Sequence, residues 1–211
     1  MFVLRDFLEP EECARLRAAI DASPLTPAEV LSDTYCVDAR ARRTLEADVA
    51  PQIVADVEQA LASVRARVSA FFDMRLVAAE GPGFLRYTPG SFYGPHRDVI
   101  DPEGDRFPRR ISVIVFLSSA TDVAGEGACE GGTLRVYGEE GLDGPPRAEI
   151  APFAGTLVAF PSDVLHEVLP VTGASGMRSW TGSTDVLWVP EPGRARRAHP
   201  AAGDPVDPSM V

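Results

Sequence analysis

Residues 85–100 read LRYTPGSFYGPHRDVI, and near the end of this stretch a histidine and an aspartate lie two positions apart, His96 and Asp98. The aromatic pair and the Pro-Gly turn that precede them predict a strand over residues 92–96. Side chains two positions apart on a strand point to the same face of a sheet. We therefore expect the imidazole of His96 and the carboxylate of Asp98 to reach one metal ion.

A third metal ligand must come from elsewhere in a chain that has only three histidines. His199 lies in a tail rich in proline, arginine and alanine, so His166 is the remaining imidazole in the body of the protein. It follows an extended apolar run at residues 155–160 and a PSDV turn, and this pattern predicts a hairpin that carries a histidine. Two imidazoles and one carboxylate form the facial ligand set of non-haem Fe(II) enzymes. An isolated H-x-D is usually a solvated turn, and the additional histidine is what favours a metal site.

Arg178 is the only basic side chain between His166 and Arg194, and it precedes residues 180–188, which have the pattern of a strand. A lone arginine beside a metal site is suited to an anionic ligand, because its planar guanidinium can hold a carboxylate bidentately. A structural ion pair is the alternative interpretation. We favour the anionic ligand.

The composition predicts one domain, since 211 residues with 45% hydrophobic content are enough for a complete core. We expect a helical support over residues 1–75, a β core over residues 76–189 and an unstructured tail over residues 190–211. The net charge of −11 argues against a nucleic-acid-binding surface, which requires a basic stripe. The chain has no lysine, which excludes Schiff-base chemistry on its own side chains.

The cysteines and the start of the chain bear on cellular location. Three cysteines without a C-x-x-C motif predict free thiols in a reducing compartment. The apolar start is interrupted by Arg5 and Asp6 and is too short for a signal peptide or a membrane span. We expect a cytoplasmic protein without a membrane or nucleic-acid partner.

Two helices and a series of short strands are predicted. Residues 9–22 and 51–72 carry apolar side chains at helical spacing, and a strand at residues 2–7 precedes the first helix. The predicted strands of the β core are residues 76–79, 84–88, 92–96, 111–118, 132–137, 148–150, 156–160, 166–171 and 180–188. Their number and spacing predict a mainly β fold, a double-sheet jelly roll with the two N-terminal helices packed on one outer face.

Residues 23–49 are polar and rich in turns, with one short strand predicted at residues 34–37. This segment contains an arginine cluster, formed by Arg40, Arg42 and Arg43. We interpret the cluster as solvated surface, and contact with a substrate is the alternative.

Two long glycine-bearing loops interrupt the predicted β core, at residues 99–109 and 119–131. Long loops within a compact domain are commonly lids or binding loops. The first directly follows the predicted metal pair, so we place it at the mouth of the site. For the second, a disordered surface excursion is a nearly equal alternative to a binding loop.

Four motifs occur in an order that resembles a known family. They are RYTPGSFYGPHRD, RRISVIVFLS, EGGTLRVY, and a strand-turn-histidine with a downstream arginine. This order resembles the 2-oxoglutarate- and Fe(II)-dependent oxygenases of the prolyl 4-hydroxylase type, which include the hypoxia-inducible-factor prolyl hydroxylases. The resemblance covers residues 84–188, and the start FVLRDFLEPEEC is similar to the N-terminal strand and helix of that family.

The resemblance implies a cupin-like double-stranded β-helix that uses Fe(II), 2-oxoglutarate as cosubstrate and O2. It implies that His96, Asp98 and His166 bind the iron, and that Arg178 binds the distal carboxylate of 2-oxoglutarate. It also implies a set of residues that line the cosubstrate pocket: Tyr87, Ser112, Phe116 and Leu134. At Phe116, hypoxia-type members of the family carry a tyrosine hydroxyl.

The implied reaction is hydroxylation of an unactivated C–H bond in a prolyl, amino-acid-like or other small-molecule substrate, with release of succinate and CO2. Peptidyl proline, a free amino acid and a small natural product all stay open as substrates. The competing classes are a non-catalytic 2-oxoglutarate-binding sensor and a cupin-type zinc or manganese hydrolase or isomerase. Against hydrolysis, Glu167 is the nearest candidate base and is predicted to point away from the face that carries His166.

Overall fold

The computed structural model describes residues 1–31, 35–76, 81–98, 110–120, 128–172 and 181–184. The helices are α1 Pro10–Asp21 and α2 Pro51–Phe71, and a short 3-10 helix spans Gly141–Asp143. The strands are β1 Phe2–Leu4, β2 Leu25–Pro27, β3 Val30–Leu31, β4 Tyr35–Cys36, β5 Arg42–Arg43, β6 Leu45–Ala47, β7 Leu85–Arg86, β8 Phe92–His96, β9 Ile111–Phe116, β10 Ser119–Ala120, β11 Ala128–Gly131, β12 Leu134–Tyr137, β13 Pro146–Ile150, β14 Leu157–Pro161, β15 His166–Val168, β16 Val171–Thr172 and β17 Thr181–Thr184.

Both predicted helices are confirmed to within two residues at each end. Helix α1 begins at a proline, which suits the first turn, and Glu11 and Glu12 lie near its positive N-terminal end. Each helix buries a single stripe of side chains, formed by Cys13, Leu16 and Ile20 in α1 and by Val57, Leu61, Val64 and Val68 in α2. Burial of each large aliphatic side chain contributes about 1.5–3 kcal/mol. Neither helix has the length and apolar content that crossing a bilayer requires, among the residues described.

Two antiparallel sheets form the β core. One has four strands in the order β1-β14-β9-β17, and the other has five strands in the order β13-β12-β15-β8-β5. The structure is therefore mainly β, as predicted. The five-stranded sheet contains both strands that carry the predicted histidine ligands.

Alternating residues of β9 separate the two halves of the core. Ile111, Val113 and Val115 belong to a buried cluster that also contains the apolar stripes of both helices. Ile114 and Phe116 belong to a second buried cluster, which combines residues of the four-stranded and five-stranded sheets. The second cluster therefore lies between the sheets, and Ser112 shares its side of β9 by alternation.

The segment at residues 23–49 contains more strands than its sequence indicates. One short strand was expected, and β4 confirms it, but β2, β3, β5 and β6 also form. Strands of two or three residues are too short to show an alternating pattern, because they are specified by their pairing partners. The pairing of β5 with β8 places part of the arginine cluster beside the metal-ligand strand.

Three other predictions need correction. The expected strand over residues 166–171 is divided into β15 and β16, since Pro170 has no N–H to donate to a sheet. The expected loop at residues 119–131 contains β10 and β11, which pair in parallel. Residues 84–88 contribute only the two residues of β7.

Several predictions concern segments that lie wholly or largely outside the described residues. They are the strand at residues 76–79, the loop at residues 99–109, most of the strand at residues 180–188 and the tail at residues 190–211. The division of the chain into one domain and a tail stays a prediction.

Candidate metal centre

Two tight turns deliver the predicted ligands to neighbouring strands. Pro89 and Gly90 occupy the centre of a turn closed by a 2.8 Å hydrogen bond from Ser91 N to Thr88 O, and Gly90 has a φ of 85°. That conformation requires glycine in a type II turn. The predicted PSDV turn is also confirmed, with Val164 N donating to the carbonyl of residue 161 at 3.0 Å.

The structure brings His96, Asp98 and His166 together. Their candidate ligand atoms all lie within 4.8 Å of one another. His96 ends β8 and faces His166 directly across the antiparallel pair of β8 and β15. Asp98 follows two residues later and lies on the same side of the sheet. The geometry predicted from the H-x-D spacing and the distant histidine is therefore present.

Backbone carbonyls fix the orientation of both imidazoles. Nδ1 of His96 donates to Gly94 O at 2.8 Å, and Nδ1 of His166 donates to Val164 O at 3.0 Å. Each Nε2 is thereby left as the free donor atom for a metal. The Nε2 atoms of His96 and His166 lie 3.4 Å and 3.6 Å from the two carboxylate oxygens of Asp98.

Two serines support Asp98, one at its carboxylate and one at its backbone. The Ser112 hydroxyl donates to Oδ2 of Asp98 and lies 3.0 Å from the Ser162 hydroxyl oxygen. The backbone N–H of Asp98 donates to Ser162 O at 2.9 Å. Ser112 was predicted to line the cosubstrate pocket, and the structure places it against a metal ligand. Ser162 was not predicted, because its contact depends on two segments that are distant in sequence.

The electrostatics favour the protonation states that a metal requires. Burial lowers the pKa of His166 to about 4, so this imidazole is neutral at physiological pH. Burial alone would raise the pKa of Asp98, but the neighbouring imidazoles of His96 and His166 and the hydrogen bond from Ser112 lower it below its usual value. Neutral imidazoles and an ionised carboxylate are the forms that bind divalent metals. The donor set therefore fits Fe(II).

A stack of side chains supports the ring of His96 from the open edge of the sheet. The Tyr93 ring lies 3.5 Å from the His96 ring, centroid to centroid, with an interplanar angle of 13°. The Arg42 guanidinium lies 4.6 Å from the centroid of Tyr93 and donates to Thr44 Oγ1 and to a backbone carbonyl. Arg40 and Arg43 are exposed, as expected of solvated surface, whereas Arg42 is half-buried. The interpretation of the arginine cluster is therefore wrong for Arg42.

Three of the predicted pocket residues lie in the cluster between the sheets. Tyr87, Phe116 and Leu134 are each at most 2% exposed and belong to this cluster. The cluster reaches the metal ligands through Phe160, whose ring packs edge-on against His166 with centroids 4.7 Å apart. Arg178 lies outside the described residues, so its position stays a prediction.

Glu167 points away from the candidate metal site. It accepts a hydrogen bond from the Tyr137 hydroxyl and lies 3.7 Å from the Arg135 guanidinium. Residue 135 faces residue 167 across β12 and β15, whereas residue 136 faces His166. The predicted opposite orientation of Glu167 and His166 is confirmed, and Glu167 is therefore not placed to act as a base at the metal.

Comparison with known proteins identifies a family with this ligand set. The sequence model of the 2OG-Fe(II) oxygenase superfamily matches residues 82–182, which include all three candidate ligands. A PKHD-type hydroxylase of Thioalkalivibrio sulfidiphilus is 31% identical over 182 residues, covering 82% of this chain and 73% of that protein.

Solved structures agree with this match. A Pseudomonas putida prolyl-4-hydroxylase is similar with a TM-score of 0.57 and 27% identity, covering 90% of this chain and 92% of the other. A Trichoplax adhaerens prolyl hydroxylase in complex with a hypoxia inducible factor peptide has a TM-score of 0.65 and 17% identity, covering 90% of this chain and 83% of the other, which shows a shared fold. The chain therefore belongs to the 2OG-Fe(II) oxygenase superfamily and is a 2-oxoglutarate-dependent hydroxylase that uses Fe(II) and O2.

Proposed function

We propose that this enzyme hydroxylates an unactivated C–H bond of a prolyl, amino-acid-like or other small-molecule substrate. The reaction converts substrate, 2-oxoglutarate and O2 into hydroxylated substrate, succinate and CO2, with one oxygen atom entering each of the first two products. The observation that carries the proposal is the convergence of the His96 and His166 Nε2 atoms on the carboxylate of Asp98.

We assign His96, Asp98 and His166 as the metal ligands. A bound Fe(II) would supply the activation of O2 that couples oxidative decarboxylation of the cosubstrate to substrate hydroxylation. The chain's own contribution is to orient these donors, and to keep His166 neutral and Asp98 ionised. Gly94 and Val164 hold the two imidazoles through their carbonyls, and Ser112 holds the carboxylate of Asp98.

We assign Arg178 to the distal carboxylate of 2-oxoglutarate, because a planar guanidinium is suited to bidentate capture of a carboxylate. Tyr87, Phe116 and Leu134 would form apolar walls of the cosubstrate pocket, which their burial beside Phe160 supports. Ser112 instead supports Asp98. Phe116 offers no hydroxyl, so Arg178 would bind the distal carboxylate without help from that position.

Relatives support a prolyl-like substrate. The similar proteins include a PKHD-type hydroxylase and a prolyl-4-hydroxylase, and the Trichoplax adhaerens prolyl hydroxylase is in complex with a peptide. We keep both peptide and small-molecule substrates open within this class, and we propose no nucleic-acid or membrane partner. We also propose a cytoplasmic location, which the free thiol of the buried Cys13 supports.

We also infer that both helices cover the same outer face of the four-stranded sheet. The buried stripes of α1 and α2 share one cluster with alternating residues of β9 and β14. This arrangement would leave the opposite face of that sheet for the cluster beside the metal ligands. Residues 1–189 would then form a single oxygenase domain.

Aerobic turnover distinguishes an enzyme from a 2-oxoglutarate sensor. We expect the Fe(II)-loaded protein to release succinate and CO2 from 2-oxoglutarate, and we expect His96→Ala, Asp98→Ala and His166→Ala each to abolish this while circular dichroism stays native. Glu167→Gln is the matched control, since it changes a neighbouring side chain on the outer face and should retain turnover. Turnover at the native rate in any of the three alanine variants would remove that residue from the ligand set.

A further inference from the structure

Arg110 immediately precedes β9 and shares a side of that strand with Ser112. Ile111 and Val113 belong to the buried cluster that contains the apolar stripes of both helices, whereas Ser112 donates to the carboxylate of Asp98. Because side chains alternate along an extended chain, residue 110 faces the side that carries the metal ligands.

The backbone fixes this placement. Arg110 O accepts a 3.0 Å hydrogen bond from Ser162 N, and Ser162 O accepts a 2.9 Å hydrogen bond from Asp98 N. Ser162 therefore connects the backbones of Arg110 and Asp98 through these two hydrogen bonds. Two residues of extended chain span roughly 7 Å, so the Arg110 side chain begins about that distance from Ser112.

The Arg110 guanidinium has no counter-charge in the part of the chain that is described. Other half-buried or exposed arginines form ion pairs there, among them Arg15, Arg86 and Arg135. Arg110 is half-buried, and its Nε is fully buried without a hydrogen-bond partner. The chain has 31 acidic and 20 basic residues, so acidic partners are abundant. A half-buried guanidinium whose buried Nε makes no hydrogen bond is favoured by a ligand that supplies an acceptor and the opposite charge.

We propose that Arg110 binds a carboxylate group of the primary substrate. This inference rests on the proposed hydroxylase function, and it narrows the substrate to a carboxylate-bearing molecule such as a free amino acid or a peptide with an acidic group near the reacting carbon. A carboxylate matches a single guanidinium in both charge and shape. A phosphate dianion is disfavoured, because the ionised Asp98 lies close by and the surrounding protein is acidic.

The position of Arg110 separates it from the assigned cosubstrate pocket. Phe116 marks that pocket near the other end of β9, and Ser112 lies between Phe116 and Arg110. A ligand carboxylate at Arg110 would therefore lie on the opposite side of the metal ligands from the distal carboxylate of 2-oxoglutarate. This is the side on which a substrate could approach the metal while the cosubstrate is bound.

The test compares carboxylates with their uncharged amides. Two matched pairs serve as probes, N-acetyl-L-proline with N-acetyl-L-prolinamide and propionate with propionamide. Their affinities are measured by anaerobic calorimetry on protein loaded with Fe(II) and 2-oxoglutarate. The variants are Arg110→Gln and Arg110→Lys. The control is Arg97→Gln, which removes one positive charge near the candidate metal ligands. Arg97 is exposed and donates a hydrogen bond to the backbone carbonyl of Asp163.

We expect the wild type to bind the acid of at least one pair about tenfold or more tightly than the amide, as a charge-assisted hydrogen bond would give. Arg110→Gln should bind both members equally, Arg110→Lys should keep part of the preference, and Arg97→Gln should keep all of it. The affinity for 2-oxoglutarate should change by less than about twofold in every variant.

Three results would overturn the inference. The first is a wild type that shows no preference for either acid, including one that binds neither probe pair. The second is a preference that survives in Arg110→Gln. The third is a tenfold loss of 2-oxoglutarate affinity in Arg110→Gln, which would make Arg110 the cosubstrate arginine. A wild type that does not bind Fe(II) and 2-oxoglutarate at all would instead refute the proposed function, and this inference would fall with it.

Discussion

Replacement of Ser112 by alanine removes the hydroxyl that donates to the Asp98 carboxylate. A hydrogen bond to a charged group contributes about 1.5–3 kcal/mol. The Asp98 side chain is 12% exposed, so water can replace only part of the lost bond. We therefore expect Ser112→Ala to weaken Fe(II) binding by roughly tenfold to thirtyfold. This loss corresponds to the lower part of the energy range for a hydrogen bond to a charged group.

An anaerobic competition titration against a chelator measures this loss, and a thermal melt of the metal-free protein checks that the variant is folded. Ser112→Thr retains the hydroxyl and should bind Fe(II) within about threefold of the wild type. Ser162→Ala removes the neighbouring hydroxyl, which lies 3.0 Å from Ser112 Oγ, and should have a smaller effect than Ser112→Ala. With the metal saturating, 2-oxoglutarate affinity should stay unchanged. If Ser112→Ala weakens 2-oxoglutarate binding but leaves Fe(II) affinity intact, Ser112 lines the cosubstrate pocket and the reasoning from its contact with Asp98 is wrong.

Three further predictions concern the stack, the buried imidazole and the cosubstrate arginine. Tyr93→Leu should weaken Fe(II) binding by about three- to tenfold, because it removes an aromatic stack worth about 0.5–1.5 kcal/mol. Tyr93→Phe keeps the stack and should bind Fe(II) like the wild type. Phe92→Leu removes the neighbouring ring, which lies beside the exposed Arg43, and should leave Fe(II) affinity unchanged. Equal losses in the Tyr93 and Phe92 leucine variants, measured by the same competition titration, would count against a role of the stack in orienting His96. The metal-free protein should lose stability as the pH falls from 6.5 toward 4. The reason is that His166 has its ordinary pKa of 6.5 in the unfolded chain and a pKa of about 4 in the folded chain. The full loss in the free energy of unfolding is about 3 kcal/mol. Urea unfolding across this pH range measures the loss, and a His166→Asn variant that shows the same slope would refute the assignment to His166. Arg178→Leu should weaken 2-oxoglutarate binding by roughly ten- to several-hundredfold at unchanged Fe(II) affinity, and calorimetry that finds the reverse pattern would make Arg178 a structural residue.

The grouping of the three candidate metal ligands could be predicted from the sequence because their geometry is mostly local. Alternation along one strand brings His96 and Asp98 to one face, and a hairpin pattern marks the strand that begins at His166. The small number of histidines left no competing third ligand in the body of the chain. The sequence did not show that the strands carrying His96 and His166 pair with each other. In the structure, the antiparallel pairing of β8 and β15 places the two histidines opposite each other.

The groups that support these ligands could not be predicted in the same way. The contact of Ser112 with Ser162 joins residues 50 positions apart, and it depends on the register between β9 and β14. Arg42 lies on a strand of two residues that shows no pattern of its own. Such contacts follow from cross-strand pairing, which the alternation within a single segment does not encode.

The resemblance to the prolyl 4-hydroxylase type assigns Tyr87, Ser112, Phe116 and Leu134 to one pocket, and the structure gives Ser112 a different environment from the other three. Tyr87, Phe116 and Leu134 share a buried cluster, whereas the Ser112 hydroxyl is used by Asp98. A short polar side chain on an inward-facing strand position can line a pocket or support a ligand. The sequence does not distinguish these two roles, because the distance from the serine hydroxyl to the Asp98 carboxylate depends on how the strands pack.

An anaerobic titration of the protein with Fe(II) and 2-oxoglutarate tests the central claim most directly. We predict a visible metal-to-ligand charge-transfer band that requires both components, saturates at one equivalent of each, persists in Glu167→Gln and is absent in Asp98→Ala. A folded wild-type protein that binds Fe(II) and shows no such band when 2-oxoglutarate is added would contradict the claim that the cosubstrate binds to the metal at the His96, Asp98 and His166 centre.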